Sequence, residues 1–249
     1  MMRLLKYDWK RNSNVILGLM AVLLITQILI MSVGSMNDWE WGLMLILSML
    51  VYGAVSAILM VIVCRTFDQN IKLYNRRLLA VRTIWTIVSS LIQAWISTLV
   101  ILILVILHLW IFWRMLEIRP VLDLTKITVS DYILSAFVSI WQYTFIMLII
   151  FFSITSARVI RKQWGLWFGI LIFFFILYVI QWVEHKVLAV ADYKWVGATF
   201  SLRIEEGGSA APFNQEALSV PVGPIIFEVL LAGVLIYVMV KLIDRKVEV

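Results

Sequence analysis

The chain has 249 residues, 63% of them hydrophobic and only 14% charged, with a formal net charge of +6. That is more apolar surface than one water-soluble core of this length can hide, which excludes an ordinary soluble globular protein and makes lipid the solvent. A lone cysteine, Cys64, excludes an internal disulfide framework, and no Cys/His cluster has the spacing of a zinc or iron–sulfur site.

At the amino terminus, Met2, Leu5 and Trp9 fall on one helical face and Arg3, Lys6 and Lys10 on another. The pattern predicts an interfacial amphipathic helix over residues 1–12, its basic residues meeting anionic headgroups. The apolar run that follows is too long for a cleaved signal peptide and is read as a retained span.

A bilayer core of about 30 Å requires about 20 apolar helical residues. Six stretches qualify: Val15 to Val33, Trp41 to Cys64, Ile84 to Trp113, Tyr132 to Thr155, Trp164 to Val183 and Gly223 to Val240. All are read as helices, because open strands leave backbone groups unpaired in lipid. The predicted fold is thus all-α, a single transmembrane domain over 1–249. The third stretch, uncharged from Thr83 to Trp113, would extend roughly 45 Å and must tilt or project from the bilayer. The segment 184–222 is the longest connection, and the Gly207-Gly208 pair, Pro212, Pro221 and, just after it, Pro224 are expected to break helical runs. Its earlier part, Val187 to Phe200, suits a short interfacial helix.

Alternating the spans places residues 1–14, 65–83, 156–163 and the tail from Lys241 on one side, with 15 Lys and Arg against four acids. The other side holds six basic residues against ten acids. The positive-inside bias makes the first side cytoplasmic, with both termini there. The net positive charge therefore reads as membrane topology, with no nucleic-acid partner.

Between the second and third spans, Phe67, Ile71, Tyr74 and Leu78 recur at the spacing of one helical face, while Asp68, Lys72, Asn75 and Arg76 fall away from it. Thr66 and Gln69 match a capping box, which predicts that a new amphipathic helix over 66–79 starts at the membrane edge. It reads either as a solvated basic turn or as a docking element.

The basic amino-terminal helix with LLKYDWKRN at residues 4–12, the six spans, the segment RTFDQNIKLYNRRLL at 65–79 and the longer outer segment before the sixth span together resemble the ABC-2 type permease subunits of bacterial ABC exporters. The likeness covers nearly the whole chain. It departs at Leu79-Ala80, where many members have a Leu-Pro step. The resemblance implies a bacterial plasma-membrane permease paired with a second, identical or related copy and with two cytoplasmic ABC ATPase subunits. It implies a coupling helix in which Thr66, Phe67, Asp68, Ile71, Tyr74, Arg76, Arg77 and Leu78 meet the ATPase, Phe67 and Tyr74 entering a groove on it. ATP and Mg²⁺ belong to that partner, since the chain lacks a GxxxxGK[ST] phosphate loop and is expected to bind no cofactor itself and to be no enzyme.

Within the spans, Gln93, His108 and Glu228 are candidates for a transport path, and Glu228 has His108 or Arg114 as a candidate partner, with headgroup hydration as the plainer alternative. Gln27, Gln93, Gln142 and Gln181 suit interhelical hydrogen bonds. No GxS or HExxH motif indicates an intramembrane protease, and Glu205-Glu206 lies in an outer loop. A substrate-binding subunit of a vitamin importer and a non-transporting immunity or sensory protein remain alternatives. The cargo, a peptide, lipid or drug-like molecule, is not written in the chain.

Overall fold

The computed structural model describes residues 2–72, 83–115, 129–159, 165–186 and 222–246. They form six helices: α1 (Met2–Met36), α2 (Trp41–Lys72), α3 (Thr83–Met115), α4 (Val129–Val159), α5 (Gly165–Lys186) and α6 (Val222–Lys246). No strand occurs among the described residues. All six helices contain a segment long and apolar enough to cross a membrane. Large apolar side chains such as Leu17, Ile28, Leu102, Phe174 and Tyr178 point outward. That inversion of the soluble pattern is stable only where the surroundings are hydrocarbon.

The chain, read from its sequence as one transmembrane domain, divides into two compact units, Met1–Met115 and Leu116–Val249. In the first, α1, α2 and α3 pack against one another. Ile16, Met20 and Leu23 of α1 meet Tyr52, Val55 and Leu59 of α2, with Ile101 of α3 completing the core. The i, i+3 or i+4 spacing within each helix keeps these residues on one face. The α1–α2 seam is antiparallel along its length. It runs from Asp8 opposite Asn70, through Asn12 opposite Thr66, to Gln27 Nε2 donating to the Ser48 carbonyl at 3.2 Å. Near the turn a Cβ on Gly34 would collide with the Met44 side chain, so glycine permits the close approach there.

The α1–α2 turn needs only four residues. The Trp39 amide donates to the Gly34 carbonyl at 2.9 Å, and Asn37 Nδ2 donates to the Val33 carbonyl at 2.8 Å. Asp38 takes the left-handed conformation at φ 49°, which closes the helix end.

In the second unit α4 packs against both α5 and α6, which makes it the most buried span. Phe145, Met147, Ile149 and Phe151 are fully enclosed. Its buried hydroxyls are satisfied within the helix, Ser153 to the Ile149 carbonyl at 2.9 Å and Thr155 to the Phe151 carbonyl at 2.8 Å. A Cβ on Gly169 of α5 would lie 3.0 Å from Ala157 Cβ and 3.2 Å from the Ser153 carbonyl oxygen. Small residues thus bring the two backbones together, the usual basis of helix association in lipid.

Three expected boundaries change. The amino-terminal segment is not a separate interfacial element, because α1 runs unbroken from Met2 through the first span. Thr66 does not cap a new helix: α2 continues through it to Lys72, and the Thr66 hydroxyl donates to the Ile62 carbonyl one turn back at 2.8 Å. The amides a cap would receive are already committed to the helical ladder. Glu184, assigned from sequence to the outer segment, lies instead in the last turns of α5, which ends at Lys186.

Candidate functional site

Two polar clusters are built into helices that otherwise offer hydrocarbon. The first lies in the first unit, where α1 begins, α2 ends and α3 begins. Asp8 is fully buried, and its Oδ1 lies 3.6 Å from Arg11 Nη2. Its Oδ2 accepts hydrogen bonds from Asn70 Nδ2 at 3.0 Å and Ser89 Oγ at 3.5 Å. Arg11 Nη2 also reaches Asn70 Oδ1 at 3.5 Å, and Asn12 Nδ2 donates to Thr66 Oγ1 at 2.7 Å. One carboxylate therefore joins three helices. Buried charge is tolerated here because an opposite charge and neutral donors surround it.

This clasp lies at the amino-terminal half of the segment read as a coupling helix. Thr66 and Phe67 are buried in it, with Phe67 at 0% exposure, whereas Asp68 and Ile71 are half-buried. Phe67 is the end of the α2 core face that runs through Val55, Leu59 and Val63. A side chain with no accessible surface cannot fill a partner's groove while it holds its own core, so Phe67 in this arrangement packs within its own unit. Tyr74, Arg76, Arg77 and Leu78 lie outside the described residues.

The second cluster lies in the second unit. Glu228 of α6 is 2% exposed. Its Oε2 accepts a hydrogen bond from Trp141 Nε1 at 2.6 Å, and the Gln142 amide donates to Oε1 at 3.0 Å and to Oε2 at 3.3 Å. Trp141 stacks on Phe145 with centroids 6.3 Å apart, which fixes its indole. Glu184 of α5 is 5% exposed, and its Oε1 has no hydrogen-bond partner among the described residues. Glu228 thus finds neutral donors in its own unit. His108 has other neighbours: it sits between Tyr52, edge-on at 5.8 Å, and Phe112, stacked at 6.2 Å. Arg114 lies over the Trp110 ring at 5.7 Å.

Of the three transport-path candidates, Gln93 and His108 lie in the first unit and Glu228 in the second. Gln93 and His108 share α3 but are fifteen positions apart, roughly 22 Å along a helix. His108 lines a small cavity of about 40 Å³ with Ser48, Tyr52 and Phe112, with room for a few waters at most. Gln93 is fully buried with neither amide atom bonded among the described residues. Of the four glutamines, Gln27 and Gln142 make interhelical hydrogen bonds, while Gln181 is exposed.

Asp8, Asn70, Ser89, Trp141 and Glu184 were not reached from the sequence as site residues. A signal existed for Asp8, the sole acid in a basic leader, three positions before Arg11. Nothing local marks Ser89 or Trp141, whose importance depends on which helix faces them. Among the described residues no group of His, Cys, Asp and Glu has the arrangement of a metal site.

Comparison with known proteins adds no relative: no family model, no curated protein and no solved structure matches the chain. The functional reading rests on the molecule's own architecture.

Proposed function

We propose that the chain is the membrane-spanning permease subunit of an ABC-2 type exporter in a bacterial plasma membrane, with both termini cytoplasmic. Separate ATPase subunits hydrolyse ATP, and a second permease copy completes the pathway for a peptide, lipid or drug-like molecule. Six apolar helices and the excess of basic residues on one side support this reading.

The observation that carries it is the continuation of α2 beyond its apolar run to Lys72, fastened by Asp8 to α1 and α3. In the proposed orientation this is the cytoplasmic end. A force applied to the segment after Lys72 enters a rigid helix and passes through the clasp to its two neighbours. The membrane-facing work is then a choice between two packings of helices, which nucleotide biases by favouring one of them. Phe67 keeps the lever attached to its own unit, while Ile71 and the residues of 73–79 are left to meet the ATPase.

The test separates attachment from docking. Cross-linkable residues placed at positions 71–79 are expected to capture an ABC ATPase in native membranes, and Ile71→Asp combined with Tyr74→Asp to uncouple its hydrolysis from transport in vesicles at normal levels of folded permease. Phe67→Asp should instead lower folded yield. Capture of no ATPase from native membranes sinks the exporter reading, and tight binding of a small ligand by the purified chain alone points to an importer's substrate-binding subunit.

A further inference from the structure

The first unit has a second polar place, where α2 begins and α3 ends, away from the Asp8 clasp. The cavity of about 40 Å³ lies there, lined by Ser48 and Tyr52 of α2 and by His108 and Phe112 of α3. Ser48 is 4% exposed, and its Oγ has no hydrogen-bond partner among the described residues. Other hydroxyls in the spans, such as those of Thr26, Thr66, Ser97 and Ser153, donate to the carbonyl four residues back. Ser48 forgoes that bond and lines the cavity instead. Its own carbonyl accepts from Gln27 Nε2 at 3.2 Å, which ties the position to α1. His108 is 8% exposed, and neither ring nitrogen has a hydrogen bond among the described residues. A hydroxyl and an imidazole left unpaired in apolar surroundings are unfavourable.

Water matches this space in size and chemistry. A buried water needs about 10–15 Å³ of such volume and two to four polar partners. The Ser48 hydroxyl both donates and accepts, and a neutral imidazole offers one N–H and one lone pair. The Tyr52 hydroxyl donates to the Leu104 carbonyl at 3.3 Å and keeps lone pairs to accept with. Ring contacts with Tyr52 and Phe112 hold the imidazole in the cavity wall. No acid, Lys or Arg is among the described lining residues, so a neutral ligand suits the site better than an ion. We propose that the cavity is an internal hydration site, in which ordered water bridges Ser48 Oγ to the His108 imidazole and donates to the Tyr52 oxygen. The water then forms the polar tie between α2 and α3 at this end of the unit, as Asp8 does at the other. The inference does not depend on the exporter reading.

Solid-state NMR of the full chain in lipid bilayers tests it, with ¹⁵N-labelled histidine and His185→Gln as background so that His108 alone reports. Magnetisation is expected to pass from water protons to the His108 ring nitrogens. Ser48→Ala removes one partner of the water and should weaken the transfer. Val105→Leu keeps every polar group but takes up space in the cavity, and should abolish the transfer at unchanged helical content. Absence of transfer in the background protein overturns the proposal whether or not a variant folds. So does transfer of equal strength in all three proteins, which would assign it to water at the membrane surface. Transfer from the Ser48 hydroxyl proton alone would show a direct bond to His108 and also overturns it.

Discussion

The two units solve the same problem, a buried carboxylate in an apolar helix bundle, in opposite ways. Asp8 is met by Arg11, Asn70 and Ser89, so opposite charge and donors surround it. Glu228 is met by neutral donors alone, Trp141 and Gln142. A cluster with matched charges is a fastener, because any movement of its helices unpairs a buried ion. A carboxylate held by neutral donors alone is a looser fastener, because no opposite charge is left unpaired when its helices move. The difference separates an ion-paired fastening in the first unit from one made by neutral donors in the second.

The strongest way to break this comparison is Asp8→Ala. It leaves Arg11 and Asn70 without their acceptor and should cost about 3 kcal/mol, the lower end of the range for a broken buried pair because Arg11 is one-quarter exposed. Reversible unfolding in mixed micelles measures it, and a loss below about 1 kcal/mol would show the clasp to be ornamental to the fold. Trp141→Phe is next. It preserves the ring stacked on Phe145 but removes the 2.6 Å bond to Glu228, for an expected loss of about 1.5 kcal/mol. A loss comparable with that of Asp8→Ala would mean that Glu228 too is primarily a structural anchor. The smallest effect is expected from Glu184→Gln, within about 0.5 kcal/mol of wild type, since an amide of nearly the same shape replaces a carboxyl whose Oε1 has no partner among the described residues. A large destabilisation by this change would place an ionised Glu184 in a favourable pairing and erase the contrast between the units.

A fourth prediction concerns the helix seams. Gly169→Ala brings a methyl group to 3.2 Å from the Ser153 carbonyl oxygen, which belongs to backbone and cannot turn aside. It should cost about 1 kcal/mol by the same unfolding measurement, the low end for overpacking. At Gly18, where an added Cβ meets nothing within 4 Å, the same change should have no cost.

Much of the architecture was legible because each span is encoded locally. About 20 consecutive apolar residues have one stable conformation in lipid, and the described residues of all six stretches read from composition reappear within helices, the fifth from Gly165 onward. The long third span likewise reappears as the 33-residue α3. The ends of helices were less legible. Thr66 with Gln69 has the letters of a cap, but a threonine hydroxyl can equally bond to the carbonyl four residues back, and packing against α1 selected the second. Glu184 looked like the start of a loop because acids are rare in spans, yet α5 carries it.

By itself, then, the order of residues determined the number of apolar helices among the described residues and their approximate limits, since these depend on hydropathy and short-range backbone bonding. Tertiary structure alone decided that Asp8 meets Asn70, 62 positions away, and that Trp141 meets Glu228, 87 positions away. Such pairings depend on helix rotation and register, which are set by the small residues and side-chain shapes along whole seams and leave no local signature in the chain.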